Sequence, residues 1–502
     1  MHHALMLAVL ALGLHDIDDH GDPSLLQQWV FDDQSADNGT LRSQRGDLRG
    51  RLRGRASSGR SGGLVIDGMD GMLEIGELTP HLREHLPESA MTIGAWVLIS
   101  SPTEWGGIAG VIQDNGDHEE GWLLGYRGEH FCMALAATGA DADRGDLTYL
   151  TAPDPFKLNT WYHVAGTFDG MAMRLWVDGN LVAESLEQSG DIRYPSTGRL
   201  AIGAYLDDNE YHPLDGAIQH VRLRNKALDG KQIREEMAAY PDMRGAATPH
   251  RPLHMLVGPY LQATEDDGVT VMWETTRPST GRVEFGTTSE LGEVAASTTQ
   301  ATLHEVSLRG LPPESNWFYR VVGESDSDRV ESPILTFQTK IRPDTPVGFI
   351  VVSDTQNNPA VTTMMSQHAW SHRPHFIMHC GDLVGTGTVK REWVQEFFGS
   401  TGELLGRYPI YPTLGNHERD ARLYYDYFSL PGEEYFYDYR WGDVHVFVLD
   451  TNKDVSPDSA QYRWFQKAIA DSDARWKLVQ HHQPAWTSDS NDYGDTFSGG
   501  ST

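Results

Sequence analysis

The chain has 502 residues, 39% of them hydrophobic, a formal net charge of −31 and two cysteines, Cys132 and Cys380. It is too long for one ordinary domain and apolar enough for several cores, so about two to four domains are expected. The acidic balance excludes recognition of a nucleic-acid backbone by counterion release but suits attraction of divalent cations, and two cysteines read as lying in different domains exclude a disulfide framework.

Residues 1–20 begin Met-His-His and then run uncharged from Ala4 to Leu14. That length predicts the apolar region of a signal peptide and is too short to cross a bilayer. No other run approaches transmembrane length, so a secreted or periplasmic protein is expected.

Residues 21–243 alternate short apolar runs with Gly, Asp and Asn turns, which predicts an all-β sandwich. Its clearest strands are 91–97, 161–170 and 173–182, the last broken into a hairpin at Asp178-Gly179-Asn180. With residues 29–32 at the start and 214–228 at the end, these pieces resemble the laminin-G-like, concanavalin A-type jelly roll. The resemblance implies a polysaccharide or cell-surface ligand and, in some members, a calcium ion. Trp96, Trp161, Trp176 and His163 occupy strand positions and read as core residues.

Between residues 41 and 60, seven arginines alternate with Gly, Ser and Leu. Such a charge run reads as a solvated loop. The alternative is an anionic-polymer patch around Arg49, Arg51 and Arg53. The triplet Arg45-Gly46-Asp47 is too short to imply adhesion.

A linker over 241–252 leads to a smaller β pattern over 253–340, with strands expected at 258–262, 269–273, 281–286, 304–308 and 317–322. It resembles the fibronectin-III-like domain that precedes the catalytic domain of purple acid phosphatases. In its Leu311-x-Pro313-x-Ser315-x-Trp317 step, Trp317 stands where a corner-forming Tyr is usual and brings no hydroxyl for the backbone bond.

From 345 to 502, apolar runs at 347–352, 376–380, 408–414 and 476–479 alternate with helical patterns at 359–371, 390–398 and 459–470, and 437–450 reads as an antiparallel pair. Four polar clusters follow the four runs: Ser353-Asp354-Thr355-Gln356, Gly381-Asp382, Gly415-Asn416-His417-Glu418 and His481-His482-Gln483-Pro484. In an open parallel sheet the strand carboxyl ends converge, which would bring these side chains to one point. Carboxylates, carboxamide oxygens and imidazoles together suit divalent metals better than a Ser or Cys nucleophile.

The order Asp-x-Gln, Gly-Asp, Gly-Asn-His-Glu, His-x-Pro resembles the calcineurin-like metallophosphoesterase superfamily, in the branch containing purple acid phosphatases. The resemblance implies two divalent or trivalent metal ions, with Fe, Zn or Mn expected. Asp382 would bridge them, Asp354 and Gln356 would face the first, and Asn416 and His482 the second. His417 would act on the leaving group. The pattern selects His482 over His481, and Cys380 reads as a small buried hydrophobe.

Two positions depart from the family. Gln356 replaces a His, and Gly385 stands where purple acid phosphatases carry a metal-bound Tyr, so no purple absorption is expected. Family members also carry a downstream Gly-His-x-His motif, and Thr502 comes before any such motif, so the sequence reads as a piece of a longer phosphoesterase domain.

The expected architecture is therefore multidomain: an all-β jelly roll, a small fibronectin-III-like sandwich and an α/β metallophosphoesterase domain. Two functions stay open. One is a metal-dependent phosphoesterase acting on phosphomonoesters, with the jelly roll as a glycan- or surface-binding accessory. The other is a non-catalytic binding protein whose metal site has degraded.

Overall fold

The computed structural model describes residues 22–484 apart from 32–35, 38, 59–62, 116–118, 140–145, 263–266 and 326–327. The signal peptide expected over 1–20 lies outside the described residues. Among the described residues no helix is long and apolar enough to cross a membrane. The chain divides into two compact units, Met1–Arg251 and Pro252–Thr502.

The first unit packs an eight-stranded sheet on a nine-stranded one. Strands β1 (Met91–Ile99), β2 (Trp161–Phe168), β3 (Met173–Val177) and β4 (Asp215–Arg224) run through the eight-stranded sheet in the order β3-β2-β1-β4, all antiparallel. All nine residues of β1 are buried, without the polar alternation of a half-exposed strand. The reason is that both of its faces are covered. Ile93, Ala95, Val97 and Ile99 join the core between the sheets. Trp96 and Leu98 pack on the other side with Trp161, Met237 and Tyr240.

That outer layer is supplied by helix α1 (Gly230–Ala238), which starts on a capping box between Asp229 and Gln232. Trp176 packs there with Leu228 and Ile233. The three tryptophans are therefore core residues, as expected, but of the layer under the helix. Between β3 and the next strand, Asp178 and Gly179 both have positive φ, 49° and 75°, the conformation that a two-residue hairpin turn requires.

The helix also buries charge. Glu236 is 7% exposed and accepts from Arg224 Nη2 at 3.0 Å and Nε at 3.2 Å. Arg222 Nη1 and His163 Nε2 each lie 3.9 Å from its carboxylate. Burial pushes the His163 pKa down, opposed by Glu236 and Asp178.

The arginine run is a correction to the expected loop. Thr40–Arg42 and Arg49–Arg53 are paired strands of the nine-stranded sheet. Arg49, Arg51 and Arg53 stand on the exposed side while Gly50 is buried and Leu52 half-buried, and Arg53 pairs with Glu74.

The second unit begins with a six-stranded antiparallel sheet. The strands expected at 269–273 and 281–286 are one bent strand, β5 (Val269–Gly286), whose register shifts between Glu274 and Ser279. Trp317 is buried, and its Nε1 donates to Ser315 Oγ at 3.0 Å, whose hydroxyl donates to Pro312 O. The indole thus reaches the corner backbone through a serine. Glu274, 3% exposed, accepts from Tyr427 Oη at 2.7 Å and pairs with Lys390. Tyr260 and Tyr319 donate to Tyr427 O and Gly406 O, each at 2.6 Å, and so tie this sheet to the α/β part.

The α/β part contains β6 (Phe349–Val352), α2 (Pro359–Ser371), β7 (Phe376–His379), β8 (Ile410–Pro412), β9 (Tyr437–Trp441), β10 (Val444–Val448), α3 (Ala460–Asp471) and β11 (Trp476–Gln480). It has two sheets of three strands: β6-β7-β8, all parallel, and β9-β10-β11, where β10 and β11 run parallel. Aromatic stacking holds them face to face, with Tyr411 and Tyr439 rings 3.6 Å apart. Gln480 Nε2 reinforces this by donating across to His379 O at 2.9 Å and Tyr411 O at 2.8 Å.

Candidate metal centre

The parallel pairing of β6, β7 and β8 sets their carboxyl ends side by side, and the polar clusters leave the strands there. Asp354 and Asp382 both adopt left-handed backbone, φ 56° and 55°. Aspartate tolerates that region, and such strain collects at functional sites. The two turns lock to each other through Asp354 N to Gly381 O at 3.1 Å and Thr355 N to Asp382 O at 3.0 Å.

Two glycines allow the close approach. A Cβ on Gly381, whose φ is 93°, would lie 2.7 Å from His482 Nδ1, and one on Gly415 would lie 2.1 Å from Asp382 Oδ1. Neither position has room for a side chain.

Ligand atoms of Asp354, Asp382 and His482 come within 4.8 Å of one another. His482 Nε2 is 3.3 Å from Asp382 Oδ2 and 3.0 Å from Asn416 Oδ1. Its Nδ1 donates to Cys380 O at 2.8 Å, which fixes the ring and leaves Nε2 directed at the cluster. Asp382 Oδ1 accepts from His417 N at 3.0 Å. The His417 ring donates through Nδ1 to Gly385 O at 2.7 Å, and its Nε2 lies 3.9 Å from Asp382 Oδ2.

All six residues singled out from the sequence therefore gather here. His481 turns elsewhere, with Nδ1 on Gln483 O at 2.8 Å. Cys380 is half-buried rather than fully buried, and burial still raises its thiol pKa to about 11.

The donors fit a metal. Gln356 Nε2 lies 3.4 Å from Asp382 Oδ2, while its Oε1 is buried without any hydrogen-bond partner. An orphaned carboxamide oxygen beside two carboxylates and an imidazole is a donor set for hard divalent cations. Electrostatics agree. Burial works against charge on both Asp382 and His482. Even so, their mutual hydrogen bond, with His417 N–H adding to it, holds Asp382 below the usual carboxylate range and raises His482 to about 9.

Residues 348–499 match the family described as calcineurin-like phosphoesterase. This stretch is a calcineurin-like phosphoesterase domain. Residues 76–234 match the concanavalin A-like lectin/glucanases superfamily, in accord with the jelly roll of the first unit. Among curated relatives, probable purple acid phosphatase 20 of Arabidopsis thaliana is 24% identical over 294 residues, which is 52% of this chain and 65% of that protein. Purple acid phosphatase 22 of the same plant is 26% identical over 201 residues, 36% of this chain and 44% of that protein. Pappalysin-1 of Mus musculus is 26% identical over 172 residues, 33% of this chain and 10% of that protein. The chain thus spans less than two thirds of each. The solved purple acid phosphatase PPD1 of yellow lupin aligns with a TM-score of 0.43 and 13% identity, covering 82% of this chain and 72% of that one.

Within the phosphoesterase domain, a Cβ on Gly385 would meet Asn357 Oδ1 at 2.5 Å and Glu392 Oε2 at 3.2 Å, so a larger side chain at this position would have to displace the ends of those two side chains.

One residue of the domain received no role from the sequence. Glu418, fully buried, accepts from four main-chain donors: Leu383 N at 2.7 Å and Val384 N at 3.3 Å on Oε1, and Asp382 N at 2.9 Å and Gly415 N at 2.7 Å on Oε2. It thereby sets the loops that carry Asp382 and Asn416. Burial, with Asp382 adding to it, pushes Glu418 up to about 7 against the pull of those donors. With every acceptor position filled by an N–H, the ionised form is the one that fits. A Glu418→Gln substitution sets an amide NH2 against main-chain N–H groups. It is expected to lower stability by about 2–3 kcal/mol and to weaken metal uptake. Urea unfolding and metal titration check this, and wild-type values in both would remove the role.

Proposed function

We propose that the phosphoesterase domain hydrolyses phosphate monoesters at a centre for two metal ions held by Asp354, Gln356, Asp382, Asn416 and His482. The observation that carries this reading is the convergence of Asp354, Asp382 and His482 within 4.8 Å, on a domain of this family. Bound there, such ions supply Lewis acidity and a nucleophile for in-line displacement. The chain's own residues do the rest. The two oxygens of Asp382 face different partners, His417 N and His482, and so present the carboxylate to both sides of the centre. The Cys380 carbonyl holds His482 in the tautomer that ligates through Nε2. The Gly385 carbonyl fixes the His417 ring through Nδ1–H, so that in the imidazolium form the proton on Nε2 passes to the departing alkoxide and leaves the neutral ring. Asn416 and Gln356 offer neutral oxygens, which limits the negative charge facing an anionic ester.

The test is phosphate release from p-nitrophenyl phosphate by the metal-loaded protein. A second reading, a binding protein with a degraded centre, is motivated by Gln356 in place of a stronger imidazole ligand. It gains if metal-loaded protein releases no phosphate. For the first unit we propose a polysaccharide or cell-surface ligand, supported by its concanavalin A-like family, in a secreted or periplasmic protein.

Metal uptake is expected to depend on pH. His482 must lose a proton from Nε2 to bind, and in the metal-free chain that proton is held up to about 9. Affinity should therefore rise about tenfold per pH unit through neutrality and level off near 9. Calorimetry in buffers of different ionisation enthalpy should show about one proton released from His482 per filled centre at pH 7–8; none released would contradict the assignment. The linkage has the opposite sign for the metal-free fold. A histidine raised from 6.5 to about 9 stabilises it below 6.5, and that contribution is lost as pH rises through about 9.

A further inference from the structure

Beyond the metal centre, the second unit holds a cavity of about 650 Å3. It opens where the chain enters β7 and β8, at the amino ends of the strands whose carboxyl ends carry Asp382 and Asn416. One strand length, about 13 Å, separates the two ends of β7. The wall combines Trp370 and Arg373 from the end of α2, Arg407 and Tyr408 ahead of β8, and Asn316 and Thr336 from the antiparallel sheet. In a chain with 71 acidic and 40 basic residues, no carboxylate lines it among the described residues.

Arg407 is half-buried, with its guanidinium over Trp370 at 5.4 Å from the ring centroid. Its Nη1 donates to Thr336 Oγ1 at 3.2 Å, but its Nε is buried without a hydrogen-bond partner. Among the described residues, neither Arg407 nor Arg373 has a carboxylate partner. Three other half-buried arginines of this unit do: Arg277 pairs with Asp328, and Arg282 and Arg320 with Glu284. A half-buried cation with no counter-ion costs stability, and an anion entering the cavity beside the guanidinium would offset that cost. Burial raises the Tyr408 pKa while Arg407 and Arg373 lower it, in keeping with both cations lying near its hydroxyl. Trp370 is 41% exposed, so part of its ring remains open to the cavity.

The geometry points to a second ligand site, for a planar aromatic compound carrying a phosphate or sulfate monoester, of which a nucleoside monophosphate is the type. The ring packs against Trp370, and the anionic group sits between Arg407, Arg373 and the Tyr408 hydroxyl. The site does not depend on the phosphoesterase reading, because it shares no residue with the metal-ligating cluster.

The experiment is calorimetric titration of AMP into the metal-free full chain, where hydrolysis does not intervene. Saturable binding of one AMP per chain is expected, at least about tenfold weaker in both Arg407→Gln and Arg373→Gln and unchanged in Asp382→Asn. Arg373 is exposed, so its substitution keeps the test valid even if Arg407→Gln fails to fold. Sulfate should compete with AMP if the anionic group provides the anchor. The proposal is overturned if AMP does not saturate by about 5 mM. It is equally overturned if binding is lost in Asp382→Asn and kept in both arginine variants, which would place the nucleotide at the metal-ligating cluster.

Discussion

Replacing Asp382 with Asn is expected to lower kcat/KM for p-nitrophenyl phosphate by at least about 1,000-fold in the metal-loaded protein. Both oxygens of this side chain are engaged, Oδ1 by the His417 main-chain N–H and Oδ2 by His482. A carboxamide keeps one oxygen and turns an NH2 toward the other partner. On the proposed reading it also removes a carboxylate that would serve the metal ions. Metal content, measured after dialysis, should fall with activity. A variant that keeps its metal and turns over within threefold of wild type would sink the assignment of Asp382 and move the chain toward the binding-protein reading.

The second large effect concerns stability. Glu236→Ala should destabilise the first unit by about 3–5 kcal/mol. The substitution strips the carboxylate from a site where Arg224 and Arg222, 4% and 2% exposed, face it together with His163. Asp22 remains as a counter-ion for Arg224, while the Arg222 guanidinium loses the Glu236 carboxylate 3.9 Å away. Equilibrium unfolding in urea gives the change, with hydrogen exchange at β1 and β4 reporting this unit separately. The diagnostic comparison is Arg224→Met combined with Glu236→Leu. Removing both members of the pair should recover part of the loss, since the penalty comes from isolating a charge and not from lacking an ion pair. A single-variant loss below about 1 kcal/mol would show that water reaches the cluster.

Much of the site is legible in the amino-acid order because Gly-Asp, Gly-Asn-His-Glu and His-x-Pro each interrupt an apolar run, and such a break after a strand marks a carboxyl end. Which strands share a sheet is not legible in the apolar runs themselves. Nothing in Trp476–Gln480 states whether it pairs with β8 or β10; that choice is made by long-range contacts such as the Tyr411–Tyr439 stack and the bonds from Gln480. Glu418 escapes for a different reason: its partners are main-chain N–H groups, which leave no mark in the sequence. The arginine run was legible but ambiguous. Arg49-Gly50-Arg51-Leu52-Arg53 carries the two-residue period of a strand, and its charge density outweighed that period in the reading as a loop.

The position of His482 on the second sheet bears on how the domain is made. Asp354, Asp382 and Asn416 precede it in the chain and follow strands of the other sheet, whereas His482 follows β11, the last of the described strands. Without β11 docked, the cluster lacks the His482 imidazole and offers mainly oxygen donors, which favour hard cations over transition metals. On the proposed reading, discrimination between hard cations and transition metals therefore rests on the docking of one sheet against the other, and not on either sheet alone.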